Sequence, residues 1–169
     1  MSILNWALIP ALLWASAGFA QSAAHADIVD AQGKKIGTAA FRASGNGVRI
    51  DVNVSGLPPG THGIHIHGVG KCEGPAFTNA GPHLNPTSKK HGKDNPEGPH
   101  AGDLLNLEVN ADGLGKASLL DQNVTLGQGQ SSLFHEGGTS LVIHADADDY
   151  KTDPAGNSGG RIACGIIEK

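Results

Sequence analysis

The sequence predicts an all-β fold of seven or eight antiparallel strands, arranged as a β-sandwich or flattened Greek-key barrel with two long functional loops. Three observations predict this class. Short segments alternate apolar and polar residues, as half-buried strands do. The 169 residues include 25 glycines, roughly twice the usual share, without a collagen period. No segment after the N-terminal leader has helical periodicity over ten or more residues.

The first segment, residues 1–20, predicts a secretory signal peptide rather than part of the fold. Residues 3–17 are almost wholly apolar and uncharged, and they lead to the small-x-small site Gly18-Phe19-Ala20. An apolar run of this length is too short to span a membrane. We expect cleavage after Ala20, with a second site after Ala26, and no membrane anchor afterwards. Residues 21–169 then form a single domain.

The strands are predicted in chain order from alternation and from the turn residues between them. Gln32-Gly33 is the predicted turn of a first hairpin, and Asp112-Gly113 turns the chain before a later strand. The clearest alternation runs from Val48 to Val54, where every second residue is Val or Ile. The predicted strands are 28–31, 36–41, 48–54, 105–110, 115–120, 140–144 and 161–167.

Two long irregular segments, residues 68–102 and 145–160, separate these strands. Both are rich in Gly, Pro, Asn and Asp. An irregular segment of such length in a compact domain is usually functional or disordered. We therefore expect the functional residues to lie in these two loops and at the strand ends beside them.

The charge of the chain limits the classes of partner. Twelve Lys and Arg stand against 16 Asp and Glu, for a formal net charge of −4. A general nucleic-acid or anionic-membrane surface requires an excess of positive charge. We therefore expect no nucleic-acid partner.

The two cysteines, Cys72 and Cys164, lie far apart in a chain that is predicted to be exported. Exported proteins form disulfides, so a structural pair is expected, and two unconnected buried thiols are the alternative. No CxxC or Cys-rich zinc pattern is present. The cysteines therefore indicate a structural role and no redox catalysis.

The histidines indicate metal binding. Eight of the nine lie between His62 and His144, and seven histidines and one Asp fall at the junctions of loops and strands. His65 and His67 are two residues apart, so an extended backbone directs both imidazoles to one face. Three His and one Asp would complete a tetrahedral zinc site with no position left for substrate. The remaining histidines would form a second, redox-capable site, for which imidazole suits copper. The spacing alone does not say whether the two sites share a ligand.

Four segments, residues 60–70, 81–92, 100–103 and 157–165, together resemble the Cu,Zn superoxide dismutases. The resemblance covers nearly all of the chain from Asp27 onward. It implies an eight-stranded Greek-key β-barrel with one copper and one zinc ion per subunit. The implied copper ligands are His65, His67, His83 and His144. The implied zinc ligands are His83, His91, His100 and Asp103, so that His83 bridges the two metals.

The same resemblance implies roles for residues outside the ligand sets. Asp148 matches the carboxylate that links a copper ligand to a zinc ligand, and Arg161 matches the arginine that guides the anionic substrate. Cys72 and Cys164 match the intrasubunit disulfide. His62 matches no ligand and is interpreted as structural.

The activity implied by the resemblance is dismutation of superoxide. Two superoxide anions and two protons give O2 and H2O2 through a copper redox cycle, with His83 and Arg161 as the catalytic residues. The leader and the short 145–160 segment fit the bacterial periplasmic branch, whose members protect against extracytoplasmic superoxide and exist as homodimers or monomers. The main alternative is a non-enzymatic copper or zinc carrier of the same fold. A structural β-sandwich is a third class, but it leaves the histidine pattern unexplained.

Overall fold

The computed structural model describes residues 23–169, so the signal peptide predicted at residues 1–20 lies outside the described residues. Within this range the chain forms nine strands and one short 3-10 helix, and no helix is long and apolar enough to cross a membrane. The strands are β1 (Ala23–Asp30), β2 (Lys35–Ser44), β3 (Gly47–Ser55), β4 (Gly60–His62), β5 (Ile64–His67), β6 (Leu107–Val109), β7 (Leu114–Asp121), β8 (Ser140–His144) and β9 (Arg161–Ile166). The 3-10 helix is Thr78–Ala80.

All strand pairs are antiparallel and form one sheet in the order β4-β6-β7-β3-β2-β1-β9-β8-β5. Strands β4 and β5 lie at opposite edges of this sheet, yet only Gly63 separates them in the chain. The sheet is therefore a nearly closed barrel. If β4 and β5 are counted as one interrupted strand, the barrel has the predicted eight strands. The connections from β3 to β4 and from β7 to β8 join strands that are not neighbours, as in a Greek key.

The core of the barrel follows from the alternation in the sequence. In β3 every second residue, from Val48 to Val54, is buried, and the residues between them are exposed or half-buried. Phe41 of β2 and Leu107 of β6 are fully buried in the same cluster. Removal of this apolar surface from water is the main force that stabilises the fold.

Strands β5 and β8 are buried on both faces, which sets them apart from the rest of the barrel. Their inward residues, among them Ile64 and Ile143, belong to the barrel core. On the outward face, Val142 packs with Phe77 and Cys164 in a second, smaller cluster. The loop that contains Phe77 therefore covers the outward face of β5 and β8, which is also the face of His65 and His67.

The predicted all-β class is confirmed and each of the seven predicted strands has a counterpart, but several positions differ. Strands β4 and β5 are not among the predicted strands, and β1 begins at Ala23 instead of residue 28. Strand β6 is shorter than predicted and contains only Leu107–Val109. The first long loop accordingly extends over residues 68–106. A third long connection, residues 122–139, was not predicted; it contributes Val124, Leu126 and Leu133 to the barrel core.

The predicted disulfide is present. Cys72, in the 68–106 loop, is bonded to Cys164 of β9. The bond fixes the loop against the barrel three residues beyond Arg161, which begins β9. The described residues contain no free cysteine.

Candidate metal centre

Four imidazoles meet on the outward face of β5 and β8. His65 and His67 come from β5 and His144 from the end of β8, while His83 reaches β5 through a backbone bridge with His67. One nitrogen from each ring lies within 4.8 Å of the others, and all four side chains are buried. The face predicted from the spacing of His65 and His67 therefore becomes the wall of a site.

The second nitrogen of these rings is held in a fixed orientation. His65 Nε2 lies 2.7 Å from Asp148 Oδ2, and His67 Nδ1 lies 2.8 Å from the carbonyl oxygen of Gly81. His144 Nδ1 lies 3.3 Å from the carbonyl oxygen of Gly159. Because these acceptors require an N–H, the opposite nitrogen of each ring carries a lone pair.

Those lone pairs face one another without a hydrogen-bond partner. Among the described residues, His65 Nδ1, His67 Nε2, His83 Nε2 and His144 Nε2 are buried and unpartnered. Buried polar atoms in proteins are nearly always satisfied, and four unsatisfied imidazole nitrogens at one point fit a metal ion. The set is all-nitrogen, which suits copper.

The protonation of this group favours metal binding. Burial, with smaller contributions from the charges of His83 and Arg161, lowers the pKa of His67 to about 2 and that of His144 to about 4. Burial likewise lowers the pKa of His83 to about 4. These rings are therefore neutral near pH 7, the state in which imidazole is a ligand.

A second group converges on Asp103. Its Oδ1 lies 2.9 Å from His83 Nδ1, 3.0 Å from His91 Nδ1 and 3.3 Å from His100 Nδ1. Asp103 Oδ2 accepts hydrogen bonds from the backbone N–H groups of Gly92 and His100. Three nitrogens and one carboxylate oxygen make the donor set of a tetrahedral zinc site.

The negative charges of the carboxylates in and beside this second group favour the binding of a cation. Burial raises the pKa of Asp103, but the three neighbouring imidazoles and the Gly92 N–H outweigh burial and hold that pKa far below the usual range. Burial lowers the pKa of His91, but Asp103 and Asp148 outweigh burial and raise it to about 9. Two carboxylates therefore enclose His91, and a divalent cation there would replace its proton.

His83 belongs to both groups. Its Nε2 faces the four-histidine group and its Nδ1 faces Asp103. Its ring centroid lies 4.1 Å from that of His65. The ligand atoms of His65, His83, His91 and Asp103 also lie within 4.8 Å of one another, so both His65 and His83 are close to both groups. His83 alone directs one nitrogen to each group, because the Nε2 of His65 is paired with Asp148. The predicted ligand His100 is outside this close set, although its Nδ1 lies 3.3 Å from Asp103 Oδ1.

Asp148 connects the two groups by accepting a hydrogen bond from one histidine of each. Its Oδ2 accepts from His65 Nε2 at 2.7 Å, and its Oδ1 accepts from His91 Nε2 at 2.9 Å. The Asn106 side chain holds the backbone of Asp148 on both sides, with Nδ2 donating to the Asp148 carbonyl and Oδ1 accepting its N–H, each at 3.0 Å. Nothing in the sequence marks Asn106, which stands among the polar residues of an alternating segment.

Arg161 and His62 lie at the edge of the four-histidine group. Arg161 is half-buried, and its Nη1 and Nη2 donate to the carbonyl oxygens of Phe77 and Gly81, both at 2.7 Å. His62 is buried, with Nδ1 and Nε2 each 2.8 Å from a backbone carbonyl oxygen, of His144 and Pro58 respectively. His62 therefore belongs to neither ligand group.

Comparison with known proteins identifies the family. The family described as copper/zinc superoxide dismutase (SODC) matches residues 35–167. The chain belongs to this family. Superoxide dismutase [Cu-Zn] 2 of Aquifex aeolicus is 48% identical over 99% of both chains, and superoxide dismutase [Cu-Zn] 1 of the same organism is 47% identical over 97% of this chain and 98% of its own.

The solved structures that resemble this copper/zinc superoxide dismutase indicate the same family as its sequence relatives. A SOD-like protein from Bacillus subtilis superposes with a TM-score of 0.82 at 41% identity, over 84% of this chain and 96% of its own. The Cu/Zn superoxide dismutase from Brucella abortus superposes with a TM-score of 0.71 at 29% identity, over 86% of this chain and 99% of its own. Family membership confirms the predicted enzyme class and the predicted cofactors, one copper and one zinc ion per subunit.

Proposed function

We propose that this superoxide dismutase holds copper at His65, His67, His83 and His144, and zinc at His83, His91, His100 and Asp103. The observation that carries the assignment is the set of four buried, unpartnered imidazole nitrogens beside a carboxylate-centred group, with His83 common to both. The all-nitrogen set suits a redox-active copper, and the set with a carboxylate suits zinc.

The reaction transfers one electron from one superoxide anion to another. One superoxide anion loses an electron and leaves as O2, and a second gains that electron with two protons and leaves as H2O2. Copper at the four-histidine set would supply the one-electron couple, and zinc at the Asp103 set would supply a further positive charge nearby. His83 can hold a proton at Nε2 whenever that nitrogen is not a ligand, because its Nδ1 remains directed to the Asp103 group.

Arg161 supplies the positive charge for an anionic substrate. Two carbonyl acceptors fix its guanidinium, one of them the Gly81 carbonyl that also accepts from His67, so its positive charge is held beside the four-histidine group. The net charge of the chain is −4, so a local positive group is needed to attract superoxide. A metal carrier would have no use for such a group, which favours the enzyme over the carrier alternative.

We also propose that the protein acts in the periplasm and protects against extracytoplasmic superoxide. The leader at residues 1–20 and the structural disulfide both fit an oxidising compartment. Cleavage after Ala20 leaves β1 whole, whereas cleavage after Ala26 would remove half of it, including the buried Ala24. The mature domain is then 21–169, and its association state stays a prediction, monomer or homodimer.

The decisive experiment combines metal analysis with an activity assay on residues 21–169. We expect one copper and one zinc per chain, rapid consumption of superoxide, loss of activity when copper alone is removed, and recovery when copper returns. A protein that binds both metals without consuming superoxide would be a carrier. A protein that takes up neither metal would overturn the assignment.

A further inference from the structure

Tyr150 is the one tyrosine of the chain, and it lies in the 145–160 loop at the junction of three segments. Its backbone N–H donates to Asp148 Oδ1 at 2.6 Å, and its carbonyl accepts the Asp94 N–H at 2.9 Å. Its hydroxyl oxygen accepts the backbone N–H of Asn106 at 2.8 Å. The residue thus connects the loop of Asp148 to the 68–106 loop at two separate points.

These contacts form a chain of hydrogen bonds that ends at the ligand groups. The Tyr150 hydroxyl holds the backbone of Asn106, and the Asn106 amide holds the backbone of Asp148 at both its N–H and its carbonyl. The Asp148 carboxylate in turn holds His65 and His91. The orientation of these two rings therefore depends on the Tyr150 hydroxyl through Asn106 and Asp148, in addition to the direct hydrogen bond from the Tyr150 backbone N–H to the Asp148 carboxylate.

The backbone and the ring of Tyr150 are also fixed. Its φ is 62°, in the left-handed region, which a bulky residue occupies only where the surroundings hold it. The Lys93 ammonium lies 4.3 Å from the ring centroid, a cation–π distance. Gly92 packs so closely that a Cβ there would overlap the Tyr150 carbonyl oxygen. A mobile surface tyrosine would show none of these constraints.

We propose that Tyr150 is a positioning residue for the metal centre: its hydroxyl fixes Asn106, and thereby the carboxylate that joins the two ligand groups. The inference rests on the proposed metal sites. Residues that orient metal ligands from outside typically change metal affinity about 10- to 100-fold when they are lost. Because Tyr150 acts through Asn106, the effect of its hydroxyl falls at or below the lower end of that range.

The test compares Tyr150→Phe with wild type, both loaded with copper and zinc. The phenylalanine keeps the ring beneath Lys93 and removes only the acceptor for the Asn106 N–H. We expect zinc to leave about 3- to 10-fold faster, measured as transfer to a chromogenic chelator at neutral pH. With Co(II) in place of zinc, we expect the visible absorption bands to change in position or intensity, because the ring of His91 is less well fixed.

Thr139→Val is the matched control. Thr139 Oγ1 donates to the Leu133 carbonyl at 2.7 Å in a buried position, so this variant also loses one hydrogen bond between a side chain and the backbone. We expect it to release zinc at the wild-type rate with an unchanged Co(II) spectrum, even where its unfolding midpoint falls as far as that of Tyr150→Phe.

The outcomes separate this inference from the proposed function. Wild type that binds both metals, with Tyr150→Phe identical to it in zinc release and Co(II) spectrum, overturns the role of Tyr150 alone. Equal acceleration of zinc release in Tyr150→Phe and Thr139→Val also overturns it, because the effect would then follow global stability. Wild type that binds no zinc overturns the metal assignment itself.

Discussion

Arg161 and His67 donate to the same acceptor, the carbonyl oxygen of Gly81. Arg161 Nη2 lies 2.7 Å from this oxygen and His67 Nδ1 lies 2.8 Å from it. The shared carbonyl fixes the guanidinium relative to a proposed copper ligand, so the positive charge and the redox site keep one geometry. A charge that is held in place needs no reorganisation when an anion arrives.

Variants of Arg161 should therefore change the capture of substrate while both metals stay bound. We expect Arg161→Ile to lower activity about 10-fold and Arg161→Glu to lower it further, because focused charge raises association rates by about 10- to 1000-fold. Arg161→Lys should fall between wild type and Arg161→Ile, because it keeps the charge and loses the fork of donors. Activity is measured at matched copper content over a range of ionic strength, where wild type should slow as salt rises and Arg161→Glu should slow less.

Arg49 provides the control for net charge. It is exposed on β3, where its Nη1 donates to Ser118 Oγ at 3.2 Å. Arg49→Ile and Arg49→Glu change the net charge by the same amounts as the Arg161 variants, and we expect wild-type activity and salt dependence. If the Arg49 and Arg161 series behave alike, the effect belongs to net charge and Arg161 has no special role.

His144 separates the two metals, because it contacts the four-histidine group and lies outside the Asp103 group. We expect His144→Ala to retain zinc and to lose copper and activity. Copper affinity should fall by more than the roughly 10- to 100-fold that removal of a residue hydrogen-bonded to a metal ligand causes. Metal content and superoxide consumption are measured together, with His25→Ala on the exposed face of β1 as control. Full activity in His144→Ala would contradict the copper assignment.

The barrel strands could be predicted because their alternation depends only on neighbours in the chain. The Val48–Val54 alternation and the buried side of β3 agree residue by residue. The 122–139 connection was missed because its buried residues are separated by polar and glycine stretches, so no period marks them. Strand β6 was predicted too long because Leu105 continues the alternation in the sequence, although the structure exposes 54% of it.

A metal centre could be predicted from the sequence because so many histidines at loop–strand junctions are uncommon in a structural role, and the resemblance to the Cu,Zn superoxide dismutases implied the individual ligands. The hydrogen-bond contacts that hold these histidines in place could not be predicted from the sequence. Asn106 and Asp148 are 42 residues apart in sequence, and Tyr150 and Asn106 are 44 apart. Such contacts follow from how two irregular loops pack on the barrel, which no local pattern encodes. The single tyrosine of the chain was the one signal that could have drawn attention to Tyr150.

Gly156 leaves the space that the Asp148 carboxylate occupies. A Cβ at Gly156 would overlap Asp148 Oδ1 and lie 2.7 Å from His91 Nε2, and the φ of this glycine is +64°. We expect Gly156→Ala to lower stability by about 1–3 kcal/mol and to speed the release of zinc. Gly160→Ala in the same loop meets no atom within 4 Å and should behave as wild type in denaturant unfolding and metal retention. Equal behaviour of the two variants would mean that Asp148 adjusts without loss.

The disulfide should stabilise both the fold and the position of Arg161. Cys72 and Cys164 are 92 residues apart, and closing a loop of this size contributes about 4 kcal/mol in the chain-entropy model. Cys72→Ser should lower the free energy of unfolding by an amount of this order and lower activity, since Phe77 in the released loop accepts from Arg161 Nη1. Denaturant unfolding, activity and thiol alkylation of the exported protein are the measurements. Two alkylatable thiols in the native wild type would contradict this role.

Asp121, at the end of β7, should make stability depend on pH. Its side chain is buried, Oδ1 accepts the Asn123 N–H at 2.8 Å, and Oδ2 has no hydrogen-bond partner among the described residues. Its pKa is raised from 3.8 to about 7, because burial and a smaller contribution from the negative charge of Asp103 together outweigh the hydrogen bond from Asn123. Between these two values the folded protein holds a proton that the unfolded chain has released.

The contribution of Asp121 to the free energy of unfolding should therefore fall as pH rises toward 7, by at most about 1.4 kcal/mol per pH unit. Above pH 7 this contribution should stay constant. Asp121→Asn keeps the shape and stays neutral, so its stability relative to wild type should increase from pH 5 to pH 8. The measurement is urea unfolding of both metal-loaded proteins at each pH, and the difference between them cancels the titration of the histidine ligands they share. A difference that stays constant over this interval would show that Asp121 is ionised throughout, with an unrecognised partner for Oδ2.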